Sequence, residues 1–181
     1  MRNILFTFLI LQSSIVFSQN NNWKEFSNEE KITVNIDKTK IYEIEYFKFD
    51  VVWDSKLRYS ENIGYYGGIK KMSIYKNDKK LQIINDIEDS IALGNISFIF
   101  YDYNFDGYLD FTIPLNCGRI CWKKYYLYNP ISNEFEHRED WDYLRIQKID
   151  KKNKQILSEP DGMQDNRKIY QIKGSGIFEL K

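Results

Sequence analysis

Along most of this chain, apolar and polar side chains alternate with a period of two, the pattern of half-buried β-strands. The clearest case is residues 41–53, IYEIEYFKFDVVW, where Ile41, Glu43, Glu45 and Phe47 oppose Tyr42, Ile44, Tyr46 and Lys48. KITVNID reads as a strand before it, and IKKMSIYKN with KLQIIN reads as a hairpin turning at Asn77 and Asp78. NISFIFYDYN and LDFTIPL are two further strands joined by an acidic loop. WKKYYLYNPISNEFEH is another hairpin, turning around Asn129, Pro130, Ser132 and Asn133. DYLRIQKID, KKNKQILSE, RKIYQIKG and GIFELK carry the alternation to the C-terminus. No segment has the periodicity of a long amphipathic helix, although LQIINDIEDSIAL can hold a short helical turn. Strands at this spacing predict an all-β class: an antiparallel meander closing as a sandwich or a propeller-like arrangement in a single domain.

The N-terminus breaks the pattern. MRNILFTFLILQSSIVFSQ reads as a secretory signal peptide, with Arg2 as the positive start, Ile4 to Leu11 as the apolar run and Ser18 as a small residue two positions after Val16. Gln12, Ser13 and Ser14 interrupt the run, leaving it short for a hydrocarbon core of about 30 Å. No second run of spanning length follows, so a soluble periplasmic or secreted protein is expected. Cleavage after Ser18 leaves 181 − 18 = 163 residues, a length that fits one domain with a real core. Residues 19–30 are polar and expected to be loosely ordered, and residues 31–181 form the β domain.

Composition adds two limits. The 17% aromatic content argues for a packed interior. The 26 basic and 26 acidic side chains become 25 and 26 once Arg2 is removed, so no basic surface for nucleic acid is expected. Cys117 and Cys121, in CGRIC, are read as a disulfide because export preserves one. A metal pair is the other reading, and with His137 as the single histidine a zinc site would have to be completed by carboxylates.

The acidic loop carries the strongest motif. Asp102, Asn104, Asp106 and Asp110 stand at positions 1, 3, 5 and 9 of a calcium-binding loop, with Gly107 where the chain must turn sharply. Asp102, Asn104 and Asp106 are expected as direct ligands and Tyr108 through its backbone carbonyl. Asp110 is expected to bind directly or through water. Position 12 holds Ile113 where an EF-hand has a bidentate Glu, so a further ligand is needed, with Asp161 or Asp165 as candidates. The other reading of the loop is an Asx-rich turn without metal.

Weaker signals have plainer readings. His137 is read as a hairpin histidine, and Glu136, Glu139, Asp140 and Asp142 around Trp141 as a solvated acidic turn. Paired carboxylates beside an aromatic ring can also hydrolyse sugars. Tyr65 and Tyr66, in GYYGG, suit a partner-binding loop.

Taken together, IIND, NISFIFYDYNFDGYLDF, YYLYNPISNEFE and the KIYQIKG ending make residues 69–180 resemble a family of exported bacterial proteins. These include periplasmic immunity proteins against peptidoglycan-cleaving effectors, related in fold to inhibitors of I-type lysozymes. The resemblance implies a β fold, a structural calcium at Asp102, Asn104, Asp106, Tyr108 and Asp110, and inhibition of a lysozyme-like enzyme, with no catalysis of its own. Two features depart from it: the N-terminus has no lipobox cysteine, and GSGIF lacks the Ser-Gly-x-x-Tyr signature of other periplasmic lysozyme inhibitors. A peptidoglycan hydrolase is the partner expected. The alternatives are a calcium-stabilised secreted structural or surface-binding protein without inhibitory activity, and a hydrolase built on the acidic cluster.

Overall fold

Where β-branched and aromatic residues alternate with polar ones, the chain is extended and paired. The computed structural model describes residues 22–37, 41–61, 64–87, 94–117, 121–142, 144–160 and 162–181. In chain order the strands are β1 (Lys24–Glu25), β2 (Ile32–Asp37), β3 (Tyr42–Ile44), β4 (Phe47–Trp53), β5 (Arg58–Ser60), β6 (Gly64–Tyr66), β7 (Ile69–Lys76) and β8 (Lys79–Ile87). They continue as β9 (Asn95–Tyr101), β10 (Asp110–Cys117), β11 (Cys121–Asn129), β12 (Glu134–His137), β13 (Ile146–Asp150), β14 (Gln155–Ser158), β15 (Lys168–Lys173) and β16 (Gly176–Leu180).

Antiparallel pairing sorts them into three sheets of order β3-β4-β7-β8, β12-β11-β10-β9-β2 and β1-β13-β14-β15-β16, with β5-β6 as a separate ribbon. The second sheet lies between the other two, and strand alternation shows how. Phe98, Phe100, Phe111, Tyr126, Tyr128 and Phe135 pack with Phe47, Phe49, Met72 and Ile74 of the first sheet. The intervening side chains Tyr101, Tyr125 and Leu127 pack with Ile149, Ile156 and Ile172 of the third, together with Phe26 and Trp141. A period of two thus serves both faces of one sheet. The protein is all-β, and its layers stack as a sandwich.

Three local features differ from the sequence reading. Residues 41–53 are two strands, because Glu45 adopts a φ of 52° and Tyr46 completes a tight turn between β3 and β4. No Gly, Pro or Asn marks that turn, and the alternation runs through it. Residues 24–28 are structured: β1 pairs with β13, and the following 3-10 turn buries Phe26 beneath Tyr101. Leu81 to Ile87 belong to β8, where a short helical turn was expected to begin. The expected leader and the rest of that helical candidate, residues 88–93, lie outside the described residues. Asn77 and Asp78 do turn the β7–β8 hairpin, both at positive φ, and residues 130–133 turn β11 into β12. Among the described residues no helix is long and apolar enough to cross a membrane.

β12 ends the second sheet, and a side chain from the first sheet covers its open edge. Gln82 Nε2 donates to the Phe135 carbonyl at 2.8 Å, and the Phe135 N–H donates to Gln82 Oε1 at 2.9 Å. The carboxamide thus satisfies both backbone groups, as a neighbouring strand would. Gln82→Leu removes both bonds and should cost about 2 kcal/mol in urea denaturation. A loss below about 0.5 kcal/mol would mean that water serves the edge equally well.

Candidate metal centre

Tyr101 ends β9 and pairs with Asp110 at the start of β10, so residues 102–109 form the connecting hairpin loop. Side chains close the loop on its own backbone. The Asp106 N–H donates to Asp102 Oδ1 at 2.9 Å and to Asn104 Oδ1 at 3.1 Å. The Gly107 N–H donates to Asp102 Oδ2 at 2.9 Å, and the Tyr108 N–H to Asp106 Oδ1 at 3.0 Å. Asn104 Nδ2 donates to Asp106 Oδ2 at 2.8 Å. Asp102, Asn104 and Asp106 are therefore brought together, as their alternate spacing requires. Gly107 has a φ of +93°, and a Cβ there would meet nothing within 4 Å, so backbone conformation and not space selects glycine.

Asp110 is placed differently. It is fully buried, its Oδ2 accepts the Tyr103 N–H at 2.8 Å, and its Oδ1 accepts the Tyr128 N–H at 2.9 Å. Both oxygens thus tie the base of the loop to β11. Among the described residues no three His, Cys, Asp or Glu side chains form a group that could hold a metal. The oxygens gathered at the loop are the carboxylates of Asp102 and Asp106 and the Asn104 amide. Asp165 is exposed in a 3-10 turn at Gln164–Asn166, and Asp161 lies outside the described residues.

Burial and like charge act together on the loop carboxylates. Burial raises the pKa of Asp102, the amide N–H groups of Gly107 and Asp106 lower it in part, and the neighbouring Asp106 charge raises it again. Burial likewise holds Asp110 well above the usual carboxylate range, against the pull of its two amide donors. A positive ion at the loop would offset both the desolvation and the mutual repulsion.

The other candidates separate. His137 Nε2 lies 2.8 Å from Asp142 Oδ2, and Asp142 Oδ1 accepts the Tyr125 N–H at 3.3 Å. Arg138 clasps both oxygens of Asp140, and Glu136 accepts from Asn129 Nδ2 at 2.7 Å. Trp141 is fully buried, its indole N–H donating to the Ser175 carbonyl. Glu136 thus ties β12 to β11, while the others brace the turn after β12, a job that sequence spacing alone did not reveal. Tyr65 is 61% exposed and pairs edge-to-face with Tyr59 across the β5–β6 ribbon, so Tyr59 joins that candidate surface. The side chain of Tyr66 lies outside the described residues.

Cys117 stands directly opposite Cys121 in the β10–β11 ladder. Their side chains lie outside the described residues, but the Cα separation of directly opposed strand residues suits a disulfide. Such a staple should contribute about 2 kcal/mol, the small effect of a short loop. Thiol labelling of the native protein without reductant should then detect neither cysteine, and quantitative labelling of both would remove the bridge. Searches of protein-family models, of curated proteins and of solved structures each find no match to this chain.

Proposed function

We propose that this is an exported calcium-binding protein that inhibits a lysozyme-like cell-wall hydrolase. The observation that carries the calcium reading is the convergence of Asp102, Asn104 and Asp106 on shared backbone amides in a hairpin loop. Asp102, Asn104, Asp106 and the Tyr108 carbonyl would hold the ion, while Asp110 fixes the base of the loop. The ion supplies positive charge and cross-links a loop that otherwise gathers like charges. The inhibitory reading rests on the family resemblance.

Inhibition of this kind needs no chemistry from the protein. A loop held on two paired strands loses little conformational freedom on docking, so more of the contact energy appears as affinity. Asp102 also lines a groove with Lys31, Ile32, Phe100, Tyr101 and Leu109, so ordering the loop shapes the neighbouring surface. The test is clearing of a peptidoglycan suspension by lysozymes of several types, with and without the purified protein, in calcium and in chelator. Slower clearing in calcium, partly relieved by chelator, supports the reading. Calcium uptake without effect on any hydrolase leaves a calcium-stabilised binding protein and removes the inhibitor.

A further inference from the structure

One end of the third sheet carries a row of lysines. Lys24 belongs to β1, Lys151, Lys152 and Lys154 to the β13–β14 turn, and Lys173 closes β15. Lys24 pairs with Ile149, and Gln155 with Gln171, so β1, the turn and the close of β15 reach the same end of the sheet. Strands about 4.8 Å apart spread the row over roughly 14 Å from β1 to β15. All five lysines are exposed, and Lys24, Lys151 and Lys152 line one groove with Asn22 and Ile149.

The carboxylates at this end are already committed. Glu29 pairs with Lys151 and accepts from the Tyr101 hydroxyl at 3.0 Å. Asp150 is buried, and its oxygens accept from the Asn153 backbone N–H at 3.0 Å and from Asn153 Nδ2 at 2.7 Å. Glu25 pairs with Lys148 at 2.9 Å. Arg138 clasps Asp140 where the turn after β12 meets Ser175, and Glu139 is the exposed carboxylate at that margin. Glu30 lines the separate groove beside the calcium loop. Among the described residues, Lys24, Lys152, Lys154 and Lys173 have no ion-pair partner.

The row is held in place by backbone. Gln171 Nε2 donates to the carbonyls of Asn153 and Lys154 at 2.9 and 3.1 Å, and the Ile172 N–H donates to the Lys154 carbonyl at 2.9 Å. The charges therefore stand along a line and do not converge on a point, which suits an extended anionic surface better than one small ion. A protein partner would need apolar anchors. The exposed ring beside the row, Phe178, lies 5.5 Å from the Lys173 ammonium, which covers it. An anionic bilayer needs no such anchor, because each lysine near its surface contributes separately.

We infer that Lys24, Lys151, Lys152, Lys154 and Lys173 form a basic end of the third sheet that docks on the surface of an anionic phospholipid bilayer. The surface lies apart from the calcium loop and stands whether or not the chain inhibits a hydrolase.

The test is co-sedimentation of the chain recovered after export with vesicles of one-third phosphatidylglycerol in phosphatidylcholine. Chelator is present so that calcium cannot bridge the protein to lipid. Binding is expected to the anionic vesicles and not to pure phosphatidylcholine, and raised salt should release it. Each lysine near the surface is worth about fivefold, so Lys152→Gln/Lys154→Gln should weaken partitioning roughly 25-fold. Lys24→Gln/Lys173→Gln, on other strands, should act similarly. Lys79→Gln/Lys80→Gln makes the same change of net charge on the β7–β8 turn and should leave partitioning nearly unchanged. Thermal melting checks that each variant is folded. No binding to anionic vesicles, equal binding to neutral ones, or an equal loss in the Lys79/Lys80 variant overturns the inference. So does capture by soluble polyphosphate without vesicle binding, since the row would then serve a soluble polyanion.

Discussion

Asp110→Ala should destabilise the protein by about 3–5 kcal/mol, since it strands two buried N–H donors that cost roughly 1–3 kcal/mol each. The carboxylate is fully buried and accepts from the amides of Tyr103 and Tyr128, which belong to the loop and to β11. Alanine also leaves a void beside two packed tyrosines. Asp110→Asn keeps the shape and one acceptor but turns an NH2 toward the second amide, so roughly half of that loss is expected. Urea denaturation in chelator measures both variants free of any ion. A loss below about 1 kcal/mol in Asp110→Ala would show that water satisfies the amides and that Asp110 does not hold the loop.

This buried role for Asp110 is one that the spacing of the loop does not show. Spacing placed Asp110 at position 9 of a metal loop, and the 1-3-5 set of Asp102, Asn104 and Asp106 does converge, because a tight loop brings alternate side chains to one side. Position 9, however, is the first residue of β10, and there strand alternation decides. Phe111 points to the first sheet, so Asp110 must point to the interior on the other side. A local motif cannot show that its last member is claimed by a sheet.

The same competition explains the rest. Period-two alternation marked β2, β4, β7, β9, β10 and β11 because each has a face that must be buried. It could not show that the second sheet is buried on both faces, since Tyr101, Tyr125 and Leu127 look like the ordinary aromatic excess of such strands. The break at Glu45–Tyr46 was hidden because a left-handed Glu has no sequence mark. The order of residues 24–28 was hidden because a single aromatic, Phe26, secures it in a polar stretch. The bracing of the turn after β12 by His137, Asp142 and Arg138 joins residues whose charges, seen in sequence, suggest solvent.

Calcium should raise the melting temperature by about 5–10 °C over chelator when present at a hundredfold excess over Kd. Binding to the folded state alone adds RT ln(1 + [L]/Kd), about 2.7 kcal/mol at that excess, and each kcal/mol moves a domain of this size by about 2–4 °C. Ile113 in place of a bidentate Glu, and an Asp110 committed to backbone amides, leave few charged ligands. The affinity should therefore be weak, on the order of 10⁻⁴ to 10⁻³ M, as in extracellular modules. Asp106→Ala should lower the melting temperature in chelator, because Asp106 also accepts from Tyr108 and Asn104, and should remove the further rise in calcium. Asp142→Ala, which loosens His137 and the turn after β12, should lower the baseline but keep the full rise. The difference between the two metal conditions, not the absolute temperature, is the measurement. The same melting temperature in chelator and in 10 mM calcium for the parent protein would make residues 102–109 a self-bonded Asx turn, and the calcium reading would fall with it.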